Sequence, residues 1–284
     1  MDKKKLTVAI PASTISDTPH LREKTAKVGL IGRAAAIFRV HEIIVYPDNP
    51  KINQTQDMNF IVLLLNYLET PQYLRKSLFK IEPRLQYAGI LPPLRTPHHP
   101  DSGKTRDLKA GVYREGVVLS EVKDGLLVDI GVEQPAILRE SQYVVGERLT
   151  LQIVNVGERI EVQAANRDEI EMYWGFRVRV ENTSFKQLLA AGGFDLTIAT
   201  ARLGIYINKI ADKIYAKWSP AQNILVAFGA PLRGLHEIAK GEGTKLESIV
   251  DFVVNTIPGQ GTARVRTEEA FLASLAIFNE RFSY

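Results

Sequence analysis

The sequence predicts an α/β fold interrupted by a small β-barrel, and three observations predict it. A β-rich run, a helical run and a second β-rich run open the chain; a proline-rich stretch then gives way to five short β-prone runs; and strand–helix alternation returns after about residue 171. A strand, a helical crossover and another strand make a unit that pairs its strands in parallel. The returning alternation makes the barrel an insertion, which a domain tolerates where the flanking ends lie close together.

Residues 6–11 form the first β-rich run, and residues 21–40 have helical composition, with Ala34, Ala35 and Ala36 as strong formers. Residues 42–46 give the second strand, closed by the turn signal Pro47-Asp48-Asn49-Pro50. Met58, Ile61, Leu64, Leu65 and Leu68 recur at helical spacing and belong to the core, before Pro71 starts a new segment. Pro92, Pro93, Pro97, Pro100 and Gly103 mark a junction over 91–107 that sustains neither helix nor central strand.

Five β-prone runs follow, at 116–120, 125–130, 136–138, 148–154 and 160–164, spaced as in a small barrel or meander. The later strands fall at 176–180, 196–199, 224–228 and 249–254, and the later helices at 186–191, 205–214 and 268–278. The domains are therefore 1–92, the first part of the α/β body; 93–170, the inserted barrel; and 171–284, the second part of the body.

The composition narrows the function. In 284 residues, 45% hydrophobic and 24% charged side chains are those of an ordinary globular protein, and the longest apolar stretch, 60–65, is too short to cross a bilayer. With no cysteine, disulfides, thiolate metal sites and a cysteine nucleophile are excluded, and a cytoplasmic location is expected. Five histidines without HxxxH or HExxH spacing give no basis for a metal.

Charge is unevenly spread. Residues 1–92 carry 13 Lys/Arg against 8 Asp/Glu, residues 93–170 carry 10 against 13, and the remainder 13 against 11. Between 22 and 39, Arg22, Lys24, Lys27, Arg33 and Arg39 face one acid, Glu23. That run is the best electrostatic candidate for a polyanion such as RNA, against the alternative of a solvated helix face.

Three segments follow strands of the last block: 200–204, 229–234 and 255–270. In open α/β sheets, ligands bind beyond the carboxyl ends of strands. Pro258, Gly259 and Gly261 strip side-chain bulk from the third segment, so its backbone can approach a ligand closely. Thr267, followed by Glu268 and Glu269, reads as the N-cap of a helix.

Asn255-Thr-Ile-Pro-Gly-Gln-Gly-Thr, Arg266-Thr-Glu-Glu-Ala and Phe228-Gly-Ala-Pro-Leu-Arg-Gly-Leu resemble the knotted cofactor loops of SPOUT methyltransferases. Val8-Ala-Ile-Pro-Ala-Ser-Thr and Gly29-Leu-Ile-Gly-Arg-Ala-Ala-Ala narrow the likeness to the archaeal and eukaryotic branch with a central barrel. The run from Glu115 to Leu119, with Gly125 to Gly131 and Val145 to Leu149, resembles S1-type OB barrels. Such barrels often bind single-stranded nucleic acid, but this segment is acidic and poor in stacking aromatics, which leaves spacer or protein docking as alternatives.

The resemblance implies a Rossmann-like parallel sheet with a C-terminal trefoil knot, S-adenosylmethionine in the knot loops, and a homodimer whose active site lies between subunits. It implies methylation of rRNA or tRNA, on base or ribose. By position it assigns the cofactor to Thr200, Phe228, Gly229, Gly234, Asn255, Ile257, Gly259, Gln260, Gly261 and Thr262. Arg33, Arg202 and Glu268 become the catalytic candidates, with Arg264 and Arg266 behind them, and Arg22, Lys24, Lys27 and Arg39 the RNA contacts. For the dimer, Ala270, Phe271, Ser274, Leu275 and Phe278 offer a small-and-apolar helical stripe.

A nicotinamide oxidoreductase is excluded, because residues 10–15 lack the glycines its fingerprint needs. The alternative function is a non-catalytic RNA-binding or ribosome-assembly protein that keeps the fold.

Overall fold

The computed structural model describes residues 4–282, and the chain divides into two compact units. One comprises residues 1–66, 86–92 and 176–284; the other comprises 67–85 and 93–175.

The first unit is built from β1 (Lys5–Pro11), α1 (Leu21–Ile37), β2 (Glu42–Tyr46) and most of α2 (Thr55–Glu69). After α3 (Gln72–Leu78) and the barrel strands β3–β7, both in the other unit, it resumes with β8 (Arg177–Val180), α4 (Phe185–Ala190) and β9 (Leu196–Tyr206). It ends with α5 (Ile207–Trp218), β10 (Asn223–Ala227), α6 (Leu235–Gly241), β11 (Phe252–Asn255) and α7 (Thr267–Phe282).

Six strands form one sheet in the order β11-β9-β10-β1-β2-β8, parallel at every pairing. A parallel sheet must be covered on both faces, because its crossovers place helices there. The strands obey this, since Leu6, Val8 and Ala9 of β1, Ile43 to Tyr46 of β2 and Ile224 to Ala227 of β10 are all buried. Ala9, Ile44, Tyr46, Leu225 and Ala227 pack on one face with Phe185 and Leu188 of α4 and Leu235, Ile238 and Ala239 of α6. Met58, Ile61, Leu64, Leu65 and Leu68 of α2 are at most 4% exposed, as their spacing predicts.

The second unit contains a closed barrel, ordered β3-β4-β5-β7-β6. Its strands are β3 (Tyr113–Val122), β4 (Gly125–Asp129), β5 (Ala136–Leu138), β6 (Arg148–Val156) and β7 (Ile160–Ala164), so each of the five β-prone runs is a strand. All pairs are antiparallel except β5 with β7. Val118, Leu126, Val128, Leu138, Leu151, Ile153 and Val162 fill the interior, alternating with outward residues as a barrel requires.

Beside the barrel lies a buried ionic network. Glu69 accepts from Arg148 Nη1 at 2.7 Å and Arg167 Nη2 at 2.8 Å, with His98 Nε2 at 3.2 Å. Glu115 accepts from Arg148 Nε, Trp174 Nε1 and Thr150 Oγ1 at 2.6–2.7 Å. Burial alone would push the Glu69 carboxyl up, but Arg148, the His98 hydrogen bond and Arg167 outweigh it and hold the carboxyl well below the usual range.

Among the described residues, no helix is long and apolar enough to cross a membrane, and no three acidic or imidazole side chains come together as metal ligands.

Candidate active site

β9, β10 and β11 run the same way, so their carboxyl ends share one edge of the sheet. There the three glycine-bearing segments meet around a cleft of about 340 Å³, within the range typical of small-molecule sites.

Residues 200–204, expected as a loop beyond a strand, lie instead inside β9. Val253 pairs with Ala199, and the next residue, Val254, pairs with Ile205, so five residues leave the ladder with β11 and return to it. Gly204 permits the return, because a Cβ there would lie 2.6–2.8 Å from main-chain atoms of Val254 and Asn255. The buried Asn255 side chain fastens the excursion: Nδ2 donates to the Arg202 carbonyl at 2.8 Å, while Oδ1 accepts from Ile257 N–H at 2.9 Å.

The second segment folds back through Ala230 N–H to the Arg233 carbonyl at 2.9 Å. Arg233 Nη1 donates to the Asp48 carbonyl at 3.0 Å, and the Asp48 carboxylate accepts from Ser13 N–H, Ser13 Oγ and Gln54 Nε2. These contacts tie the cleft to the carboxyl ends of β1 and β2. Thr267 Oγ1 donates to the Gly229 carbonyl at 2.9 Å, joining α7 to the same segment.

Thr267 is therefore not the helix N-cap that its position suggests. It is the first residue of α7, its hydroxyl is spent on Gly229, and Glu269 reaches back to Arg266 N–H at 2.8 Å to satisfy the helix end. In the third segment, Gly259 adopts φ +71, a left-handed conformation that favours glycine. Gln260 Nε2 donates to the Thr262 carbonyl and Thr262 Oγ1 to the Arg264 carbonyl, each at 2.9 Å, so this turn is closed on itself.

Of the residues that the sequence singles out, Thr200, Arg202, Gly229, Gly234, Asn255, Ile257, Gln260 and Arg264 line the cleft. Gly259, Gly261 and Thr262 stand outside its lining. So does Phe228, which is 1% exposed, packs on Phe271 at 4.9 Å between ring centres and takes the Tyr46 hydroxyl on its carbonyl. Sequence reasoning missed Ala263 and Val265, whose small apolar side chains form part of the wall and carry no signal of their own. Leu203, Pro231, Leu232 and His236 are also in the lining, and Leu203 and Leu232 are 75% and 54% exposed.

Glu268 and Arg33 do not line the cleft. The Glu268 carboxylate is buried against the Lys27 ammonium, 3.3 Å away without hydrogen-bond alignment. Burial pushes its pKa up and Lys27 only partly offsets that. Lys27 is 5% exposed and donates to Asp17 Oδ1 at 2.5 Å and the Thr14 carbonyl at 3.2 Å. Its charge is spent inside the protein, whereas Arg22 and Arg39 are exposed and Lys24 and Arg33 half-buried.

The α7 stripe also faces inward. Phe271, Ser274, Leu275 and Phe278 are fully buried, with Phe278 beside Trp218 and Ser274 Oγ hydrogen-bonded to Thr256 Oγ1. These four residues are core of the unit, while Ala270, the fifth of the stripe, is half-buried and lines the cleft.

The chain is similar over nearly its full length to proteins in several organisms. It is 34% identical to an uncharacterised protein of Halobacterium salinarum, over 94% of this chain and 96% of that one. It is 32% identical to the human 28S rRNA (uridine-N(3))-methyltransferase, over 95% of this chain and 77% of the human protein. With the Drosophila melanogaster enzyme of the same name it shares 31% identity, over 97% of this chain and 62% of that longer protein. Residues 5–278 match the family described as "Putative RNA methyltransferase", and the chain belongs to that family of RNA-methylating enzymes.

Proposed function

We propose that the chain transfers a methyl group from S-adenosylmethionine to N3 of a uridine in ribosomal RNA, with the cofactor in the cleft formed by residues 200–204, 229–234 and 255–266. The observation that carries this reading is the convergence of these three segments on one cleft lined by small and apolar residues together with the polar Thr200, Asn255 and Gln260. A purine and ribose need such a setting: an apolar wall and a few fixed donors and acceptors. Gly234 supports the fit, because a Cβ there meets nothing within 4 Å although the residue lines the cleft.

The cofactor supplies an activated methyl on a sulfonium. The protein must align the acceptor and help it lose a proton. With the cofactor bound there, that methyl would go to uracil N3 once the nitrogen has lost its proton to solvent. Deprotonated uracil spreads negative charge over O2 and O4. Arg202 and Arg264, cations of the cleft, would stabilise that charge, and neither guanidinium serves as the base. Arg202 is aimed by its own bond from Nη1 to the Ala263 carbonyl at 3.2 Å.

The proposal includes the SPOUT-type trefoil knot, the OB-like character of an inserted domain at 93–170, and a homodimer in which Arg33 of the partner subunit faces the cleft. The exposed Leu30 and Ile37 support a contact along α1, since residues 30, 33 and 37 share one face of a helix. Arg22, Lys24 and Arg39 remain the proposed phosphate contacts.

Incubating the protein with labelled S-adenosylmethionine and unmodified ribosomal RNA should yield 3-methyluridine on nucleoside analysis, and Arg202→Ala should lower kcat by about a hundredfold. Label in another nucleoside, or none, would overturn the assignment.

Gly234→Leu should fill the cleft and remove cofactor binding by calorimetry while leaving the melting temperature nearly unchanged. Mixed with Arg33→Ala, it should restore activity that neither variant has alone, because one site of the mixed dimer keeps both parts. If Gly234→Leu binds cofactor normally, the cleft is not the site; if mixing restores nothing, Arg33 does not act across subunits.

A further inference from the structure

A second hollow, of about 590 Å³, opens on the first unit and shares no lining residue with the cleft. His20, Leu21, Arg22 and Ala26 form one side, and Tyr87 and Ile90 the other, with the Glu23 carboxylate also in the lining.

The local structure explains why two large apolar side chains stand outward here. Residues 88–90 form a 3-10 turn, in which Ile90 N–H bonds the Tyr87 carbonyl at 3.1 Å and Leu91 N–H bonds the Ala88 carbonyl at 3.2 Å. Side chains three apart in such a turn eclipse one another, so Tyr87 and Ile90 point the same way. Ala88 and Leu91 point the other way and are each 9% exposed. Gly29 of α1 lets the segment sit close, since a Cβ there would lie 2.9 Å from Leu91 Cδ2 and Pro92 Cδ. The turn is thus anchored from below and holds Tyr87 and Ile90 at 36% and 39% exposure.

The polar side of the hollow is uncommitted. Among the described residues, His20 and Arg22 make no side-chain hydrogen bond or ion pair, although most arginines of this chain do. A free guanidinium suits a phosphate, and an exposed aromatic ring beside it suits the face of a base.

We propose that this hollow is a nucleotide subsite, in which Tyr87 and Ile90 take an unpaired RNA base and Arg22 the phosphate beside it. It rests on the reading of the chain as an RNA methyltransferase and adds a place, outside the cleft, that holds a nucleotide away from the one being methylated. The flanking Lys24 and Arg33 on the same helix supply a field of the right sign for RNA.

Binding is to be measured with two fluorescent ten-nucleotide probes: oligouridylate, and an abasic oligomer with the same sugar–phosphate backbone. Tyr87→Ala should weaken oligouridylate about tenfold, whereas Tyr87→Phe, which keeps the ring, should bind as wild type does. Both variants should hold the abasic oligomer as tightly as wild type and keep normal cofactor affinity. Arg22→Ala should weaken both probes and flatten the salt dependence by about one unit. The subsite is overturned if Tyr87→Ala leaves oligouridylate affinity unchanged, or weakens both probes equally. Should wild-type protein bind neither probe while still binding S-adenosylmethionine, the RNA-binding reading fails first and the subsite with it.

Discussion

Gly204→Ala is expected to lower kcat/KM at least about a hundredfold, the scale of loss when reacting groups shift by about 1 Å. The added carbon would fall 2.6 Å from the Val254 carbonyl carbon and 2.8 Å from the Asn255 nitrogen, both main-chain atoms of an adjacent strand that cannot swing aside. The strain is relieved only if residues 200–204 back away from β11, and that breaks the bond from Asn255 Nδ2 to the Arg202 carbonyl. Arg202 and Thr200 would then leave the cleft wall together. Overpacking of this kind costs about 1–3 kcal/mol, so the protein should still fold, with a modestly lower melting temperature. Calorimetry with S-adenosylmethionine and steady-state methyl transfer check the effect. An alanine variant with wild-type affinity and rate would show that the excursion is not what shapes the site.

Gly204 also shows why only part of the site is legible in the sequence. The strands β1 and β2, the core stripe of α2 and the five barrel strands follow from local periodicity, because side chains two or four positions apart share a face whatever lies across from them. The excursion is not local. It exists because two consecutive residues of β11 pair with residues six apart in β9, and no pattern within 196–206 distinguishes that from a strand followed by a loop. The same holds for Thr267, whose hydroxyl has a capping role by sequence and a different partner, Gly229, 38 residues earlier.

Burial misleads in a second way. Phe271, Ser274, Leu275 and Phe278 look like a contact stripe because small and apolar residues serve helix packing inside a subunit as well as between subunits. The presence of Trp218 and Phe282 around Phe278 decides for the interior. Lys27 sits among four other basic residues, and only the position of Asp17 and Glu268 shows that its charge is neutralised within the fold.

The largest stability effect should come from Glu69, a residue without any sequence signal, since its partners Arg148 and Arg167 lie 79 and 98 positions away. Removing one partner of a buried ionic cluster costs about 3–5 kcal/mol, because the remaining charges are left desolvated and unpaired. Glu69→Ala would leave Arg148 with the Glu115 carboxylate alone and take one carboxylate partner from Arg167, and it should lower the denaturation midpoint of the second unit accordingly. Trp174, hydrogen-bonded to Glu115 in the same network, reports that unit. With Trp218, the other of the two tryptophans, replaced by phenylalanine, its fluorescence is the only indole signal. Acid should act on two groups in succession. Burial, with the nearby His98, pushes the His99 imidazole down to about 4. The unfolded chain therefore takes up that proton first, and stability declines as pH falls from about 6.5. The Glu69 carboxyl is held well below its unfolded value of about 4.3, so its contribution is complete above that value and is lost as pH falls further. Glu69→Gln should keep the first decline and remove most of the second. A variant whose urea midpoint matches wild type at pH 7, or whose acid profile is unchanged below about pH 4.3, would show that the network does not hold this unit together.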